Sequence, residues 1–204
     1  MQRKYHDIPQ NAEAWDALRL GRFTASAFKD LFSGKKTATY EKAIYQPVFE
    51  RMTGETPDRF YGGYMKRGHD LEPFAIEQYE MDNFVEIKNG GFWTIDDWIG
   101  ASPDGLVGEH GLFEGKAPAF NTQMNYLLKG ELPDIYFWQV HGQLYVTDRE
   151  WVDFYSYHPG IRAHCLRVYR EEKIERELIA KLDESIQAAH TVMYKLNKGD
   201  PNAE

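Results

Sequence analysis

The stretch Trp98 to Pro118 (WIGASPDGLVGEHGLFEGKAP) constrains this chain more than any other. It predicts a strand from Trp98 to Ala101 that continues through Ser102 to Val107. A turn follows at Gly108-Glu109-His110-Gly111, then a returning strand from Leu112 to Ala117 that Pro118 ends. A glycine at each end of the turn supplies unusual backbone angles, and a loop of this length between two apolar runs reads as a hairpin. Counting back from the loop sets Asp104 opposite either Glu114 or Gly115. Glu114 and Lys116 are two residues apart, so on a strand both point to the same face. The hairpin thus gathers two carboxylates and one ammonium at one spot.

Such a trio has two readings. One is a surface hairpin in which Lys116 pairs with Glu114 as a solvated ion pair. The other is a metal site. Adjacent carboxylates repel each other and keep a raised proton affinity unless a cation lies between them. Mg²⁺ or Mn²⁺ suits hard oxygen ligands, and a metal-bound water beside an ammonium is a hydrolytic nucleophile for a phosphoryl centre. Two details favour the second reading. Pro103-Asp104-Gly105 interrupts a strand and re-aims a side chain. Lys116 lies among Leu112, Phe113 and Ala117, where a charge needs a partner.

The 204 residues are 42% hydrophobic and 15% aromatic, enough for one domain, 1–204, with its own core. No repeat is evident. No apolar run reaches membrane-span length, and MQRKYHDIPQ carries no signal-peptide core. A single cysteine, Cys165, excludes an internal disulfide, a cysteine-cluster metal site and an iron–sulfur cluster. A reducing cytoplasm is the expected location. The net charge of −8 argues against a protein that passively coats DNA. It is compatible with an enzyme that meets DNA through a local basic patch. The histidines fall singly, with no HExxH, so zinc hydrolase chemistry is not expected.

Along the chain, Ala12 to Leu20 predicts a helix capped by Asn11, and Ala27 to Phe32 a second one capped by Thr24. Arg19 and the Ser26 hydroxyl near that helix start make a candidate phosphate seat; capping plus a surface arginine is the alternative. Ser33-Gly34-Lys35-Lys36 is a basic loop. Tyr40 to Met52 has helical spacing with a kink at Pro47. Asp70 to Met81 predicts a helix whose first turn holds Glu72, since Pro73 fits best near a helix start. Glu72 is then either a favourable N-terminal charge or a third carboxylate for the metal. Phe84 to Lys88 and Gly91 to Ile95 alternate like strands joined by the turn Asn89-Gly90. Gln123 to Lys129 and Asp134 to Val146 are helical, and Gln139 on the latter is either a residue that orients a water or an ordinary helix glutamine. Glu150 to Tyr157 and Ala163 to Tyr169 are strands. Glu171 to Leu196 is a long amphipathic helix.

The block Pro103-Asp104 followed by Glu114-Gly115-Lys116 resembles the PD-(D/E)xK motif of the restriction-endonuclease-like nucleases. The element order is similar to the α/β core of that superfamily, a mixed central sheet flanked by helices, with extra N-terminal helices. Further matches run from Trp15 through Arg19-Leu20-Gly21 to Thr24-Ala25-Ser26 and from Gly68 to Glu72. Others are Ser102 to Leu106, Leu112 to Lys116 with Pro118, Gln139-Val140, and Val146-Thr147 with the strand ending Tyr157-His158-Pro159. Over nearly its whole length the chain resembles the phage lambda exonuclease family of viral recombination nucleases.

The resemblance implies a 5′→3′ exonuclease that digests one strand of duplex DNA from an end with two Mg²⁺ ions. Asp104, Glu114 and the Gly115 carbonyl would bind metal, and Glu72 would serve the second ion. Lys116 would activate the attacking water and Gln139 orient it; Arg19 and Ser26 would hold the 5′-phosphate. It also implies a ring-shaped homotrimer and a single-strand annealing protein as partner. The chain departs from the family at Gly115, where a bulkier apolar residue is usual, and at His141, which replaces a second glutamine. Residues 35–66 match poorly. Two other readings stand beside this one: a structure-specific or restriction-type endonuclease, and a non-catalytic DNA-binding protein.

Overall fold

The structure, a computed structural model, describes residues 2–57 and 63–198. In chain order it contains β1 (Arg3–His6), α1 (Glu13–Arg19), β2 (Phe23–Thr24), a 3-10 turn (Ala25–Ala27), α2 (Phe28–Leu31), α3 (Ala38–Thr53) and α4 (Gly63–Asn83). There follow β3 (Ile87–Asn89), β4 (Phe92–Ile95), β5 (Ile99–Ala101), β6 (Gly105–Val107) and β7 (Gly111–Lys116). The chain continues with α5 (Phe120–Lys129), α6 (Asp134–Thr147), β8 (Trp151–His158), β9 (Ile161–Tyr169) and α7 (Glu172–Lys198).

The strands form two mixed sheets, in the orders β1-β4-β5-β2 and β3-β6-β7-β8-β9. β7 lies at the centre of the second, antiparallel to β6 and parallel to β8. Alternation along β7 sends successive side chains to opposite faces. Leu112 packs with Val140 and Leu144 of α6, and Phe113 packs with Ala75 and Tyr79 of α4. Glu114 and Lys116 share the face of Leu112 and so look towards α6. This helix is buried continuously from Val140 to Thr147, because its other side serves the first sheet: Tyr145 and Val146 join Phe28, Leu31, Ile95 and Ile99 with Leu178 and Leu182 of α7. A helix clad in protein on all sides carries no polar stripe.

Several expectations change. Asn89-Gly90 does not close a hairpin. β3 pairs with β6, β4 pairs with β1 and β5, and the segment crosses from one sheet to the other. The Ser102-Pro103-Asp104 link makes the same passage between β5 and β6. The two links run against each other so closely that a Cβ at Gly90 would overlap the Pro103 carbonyl. The local turn signal is real, but long-range pairing decides the partner strands. At the 108–111 turn, Gly108 has a positive φ of 56°. Gly111 is required for a different reason: it is a strand residue that leaves room for the Trp151 ring.

α4 extends from Gly63 to Asn83 with Pro73 inside it. Gly68 and Glu72 therefore lie within the helix, and Glu72 is not a first-turn charge. Asn11 does not cap α1; it sits in the left-handed region at φ 62°, and Ala12 takes the cap position. Thr24 makes no capping bond, since its hydroxyl lies 3.3 Å from that of Ser26. Two short strands, β1 and β2, carry too few apolar residues to stand out by alternation. Of the poorly matching segment 35–66, residues 58–62 lie outside the described residues.

Candidate active site

The site forms where the second inter-sheet link meets β7. Asp104 sits one residue before β6, and its Oδ2 accepts a hydrogen bond from the Gly115 amide at 2.8 Å. Gln10 Nε2 donates to Asp104 Oδ1 at 3.3 Å and to the Pro103 carbonyl at 3.2 Å, which holds the carboxylate from its other side. Glu114 is 1% exposed. Its Oε1 accepts from Lys116 Nζ and from Gln139 Nε2. Its Oε2 accepts from Gln143 Nε2 at 2.5 Å.

The Lys116 ammonium completes the corner. It donates to the Gly115 carbonyl at 3.0 Å and lies 4.0 Å from Asp104 Oδ2, with the Tyr136 ring centroid 5.3 Å away. Three oxygens, from Asp104, Glu114 and Gly115, therefore surround one cationic nitrogen. Two carboxylates against one ammonium leave a local excess of negative charge. Burial pushes the Glu114 carboxyl up to about 7, and the Asp104 charge adds to the rise; Lys116 and Gln143 pull it partly back. Burial alone would lower the Lys116 ammonium, but the Glu114 and Asp104 charges outweigh it and hold the group above its ordinary value.

This donor set fits a hard divalent cation. Mg²⁺ and Mn²⁺ favour carboxylate and carbonyl oxygens, and here those oxygens already converge on a positive charge. Among the described residues no three His, Cys, Asp or Glu side chains gather closely enough to hold an ion by themselves. The Gly115 carbonyl is the third protein oxygen at this corner, beside the two carboxylates. Glu72 is half-buried, one helical turn before Ala75 and Ile76. It lies on the α4 face that packs against β7, but not in one group with Asp104 and Glu114.

The two residues expected to hold a phosphate are in contact. Arg19 Nη2 donates to Ser26 Oγ at 3.2 Å, and its guanidinium lies 5.1 Å from the Trp15 ring centroid. Trp15 Nε1 in turn donates to Ser102 Oγ at 2.9 Å, two residues before Asp104. A line of contacts thus joins Arg19 to the link that carries Asp104.

Gln143, Gln10 and Tyr136 were not among the residues singled out by sequence. Gln143 is one helical turn from Gln139, so the i, i+4 spacing on α6 was the available signal. Gln10 had none, being 94 residues from Asp104. His141 does not share the glutamine face: it is buried, with the Phe137 ring 4.6 Å away, and burial lowers its pKa.

Residues 14–150 match the model of the YqaJ-like viral recombinase domain. The fold is similar to that of an alkaline exonuclease from Laribacter hongkongensis, with a TM-score of 0.83 and 29% identity, covering 92% of this chain and 97% of that one. The same exonuclease in complex with dAMP gives a TM-score of 0.85 at 29% identity and the same coverage. A phage-related exonuclease from Haemophilus somnus 129PT shares the fold, with a TM-score of 0.63 at 16% identity over 87% of this chain and 96% of that one. The chain matches no curated protein. A buried acid–lysine corner at a sheet junction, an arginine–serine pair beside it and a domain match over residues 14–150 lead to one conclusion: the chain belongs to the YqaJ-like viral recombinase family and has the α/β fold of the alkaline exonucleases.

Proposed function

We propose that the chain is a metal-dependent 5′→3′ exonuclease that digests one strand of linear duplex DNA and leaves a 3′ single strand for annealing. The observation that carries this reading is the convergence of Asp104 Oδ2, Glu114 Oε1 and the Gly115 carbonyl on the Lys116 ammonium. Those three oxygens would hold the ion, and Glu72 on α4 is the candidate ligand for a second one. A bound Mg²⁺ supplies Lewis acidity at the phosphoryl oxygen and a lowered pKa for its water.

The remaining work belongs to the chain's own groups. Lys116 places a positive charge beside the phosphoryl oxygens as negative charge builds there. Gln139 and Gln143 fix the Glu114 carboxylate, and Gln139 is placed to orient the attacking water. Arg19 and Ser26 hold the terminal 5′-phosphate and so register the first internucleotide linkage at the acids. Water attacks phosphorus, the bond to O3′ breaks, and the oxygen of that bond leaves with a proton. One 5′-mononucleotide departs, and the next residue is left with its own 5′-phosphate, ready for the same seat. Action as a trimeric ring, beside a single-strand annealing protein and in a host cytoplasm, belongs to the same proposal.

The test is digestion of a linear duplex with Mg²⁺, one strand 5′-phosphorylated and 3′-labelled, beside the same molecule closed into a circle. Mononucleotides from the phosphorylated strand with the circle intact are expected. Cutting of the circle would move the chain to an endonuclease role. No product with either Mg²⁺ or Mn²⁺ would leave a DNA-binding protein.

A further inference from the structure

A cleft of about 360 Å³ opens between the 3-10 turn and α3, lined among others by Arg19, Arg22, Thr24, Lys42, Gln46 and Glu50. Arg22 is its unusual member. The side chain is half-buried; Nη1 donates to the Leu18 carbonyl at 2.6 Å, while Nε is buried and without a partner. Among the described residues no carboxylate forms an ion pair with it. Burial lowers its pKa, and the Asp97 charge offsets part of that. Arg51 lies near enough for the Arg22 charge to depress its own pKa further, after burial.

The acids on the wall do not supply the missing charge. Glu50 is 4% exposed, and its two oxygens already accept from the Gly21 amide at 2.7 Å and from Gln46 Nε2 at 2.9 Å. Asp30 is the other lining acid, set against Arg19, Arg22 and Lys42. A partly desolvated guanidinium with an unused N–H is costly unless an anion reaches it. Planar guanidinium groups match phosphate oxygens best.

We propose that this cleft is a second phosphate subsite, contiguous with the Arg19–Ser26 seat, in which Arg22 and Lys42 take one further phosphate group of the DNA end. The contiguity rests on the phosphate role given to Arg19 above. The first internucleotide linkage lies at the acids when Arg19 holds the 5′-phosphate, so the group held here is an outer phosphate of a 5′-triphosphorylated end.

Binding of fluorescent duplexes in EDTA, where no turnover occurs, tests this. Four ends are compared: 5′-hydroxyl, 5′-monophosphate, 5′-triphosphate, and 5′-monophosphate with a neutral methylphosphonate at the first linkage. Arg22→Gln or Lys42→Gln is expected to weaken binding about tenfold for the end whose phosphate the subsite holds, and to lower the salt slope by about one. The wild type prefers the triphosphate over the monophosphate, and both variants lose that preference. The methylphosphonate, whose linkage lies at the acids, leaves the effect of both variants unchanged. A wild type that binds the triphosphate no tighter than the monophosphate, or variants that bind every end within twofold of the wild type, overturns the subsite. Lys42 is exposed on α3, so its variant decides the matter if Arg22→Gln does not fold. A wild type that fails to prefer 5′-monophosphate over 5′-hydroxyl ends sinks the Arg19–Ser26 seat, a separate readout from the variant arms.

Discussion

Lys116 and Arg22 are both partly withdrawn from water, on opposite terms with their surroundings. Lys116 meets more anionic charge than it can neutralise: Glu114 touches it, Asp104 stands at 4.0 Å, and a carbonyl accepts its third contact. Arg22 meets less, with one carbonyl bonded and Nε unused. The sign of each imbalance indicates the ligand. A buried corner with surplus negative charge suits an added cation, and a cleft with surplus positive charge suits a phosphate. The two corners are charged in opposite senses, which a net charge of −8 conceals.

The sharpest way to break this comparison is to remove the ammonium. Lys116→Met should lower single-turnover cleavage by about a thousandfold, ~4 kcal/mol of barrier, with an unchanged circular dichroism spectrum. Near-normal activity would strip Lys116 of its role. The acid side can be probed by pH. Glu114 has a raised carboxyl in the fold, about 7 against 4.5 for its ordinary value. The folded state therefore binds more protons than the unfolded state between those two values. Metal-free stability contributed by this group is present below about pH 4.5 and lost as pH rises through 7, a change of order 3 kcal/mol. Urea melts in EDTA should show that loss, and Glu114→Gln should remove most of the slope; an equal slope in the variant contradicts the assignment.

Smaller effects sharpen the contrast. Gln143→Leu takes one donor from a buried carboxylate, so a stability loss of about 2 kcal/mol and roughly tenfold slower cleavage are expected. Recovery of both in Gln143→Asn would show that the amide matters rather than the volume. On the phosphate side, Arg19→Ala should slow digestion about tenfold on 5′-phosphorylated ends and leave 5′-hydroxyl ends unaffected. Equal slowing on both ends would mean that Arg19 acts through packing on Trp15.

What the sequence made legible follows the range of the forces involved. Asp104, Glu114 and Lys116 were readable because strand alternation and a short turn are local. The long helix α7 and the strands β8 and β9 were readable for the same reason. Gln139 was singled out and its matching block Gln139-Val140 stops short of Gln143, although one helical turn separates the two and both donate to Glu114 on another element. Asn89-Gly90 misled in another way. Its turn propensity was correct, but the strands on either side belong to different sheets. Pro73 suggested a helix start, yet α4 tolerates it inside, since packing of Ala75 and Tyr79 on β7 outweighs one lost backbone bond. Gln10 on Asp104 is a contact between distant segments that no window along the chain can contain.

The crossing of the two inter-sheet links has a genetic consequence. Asp104 leaves the first sheet within the link that Gly90 presses against, while Glu114 and Lys116 stand in the second sheet. The spacing of the acids is thus inherited from the joint between two sheets, at a point with no functional group of its own. Selection on this protein should fall on position 90 as heavily as on the acids. A saturation screen for inactive variants is expected to return every substitution of Gly90, alanine included, beside those of Asp104 and Glu114.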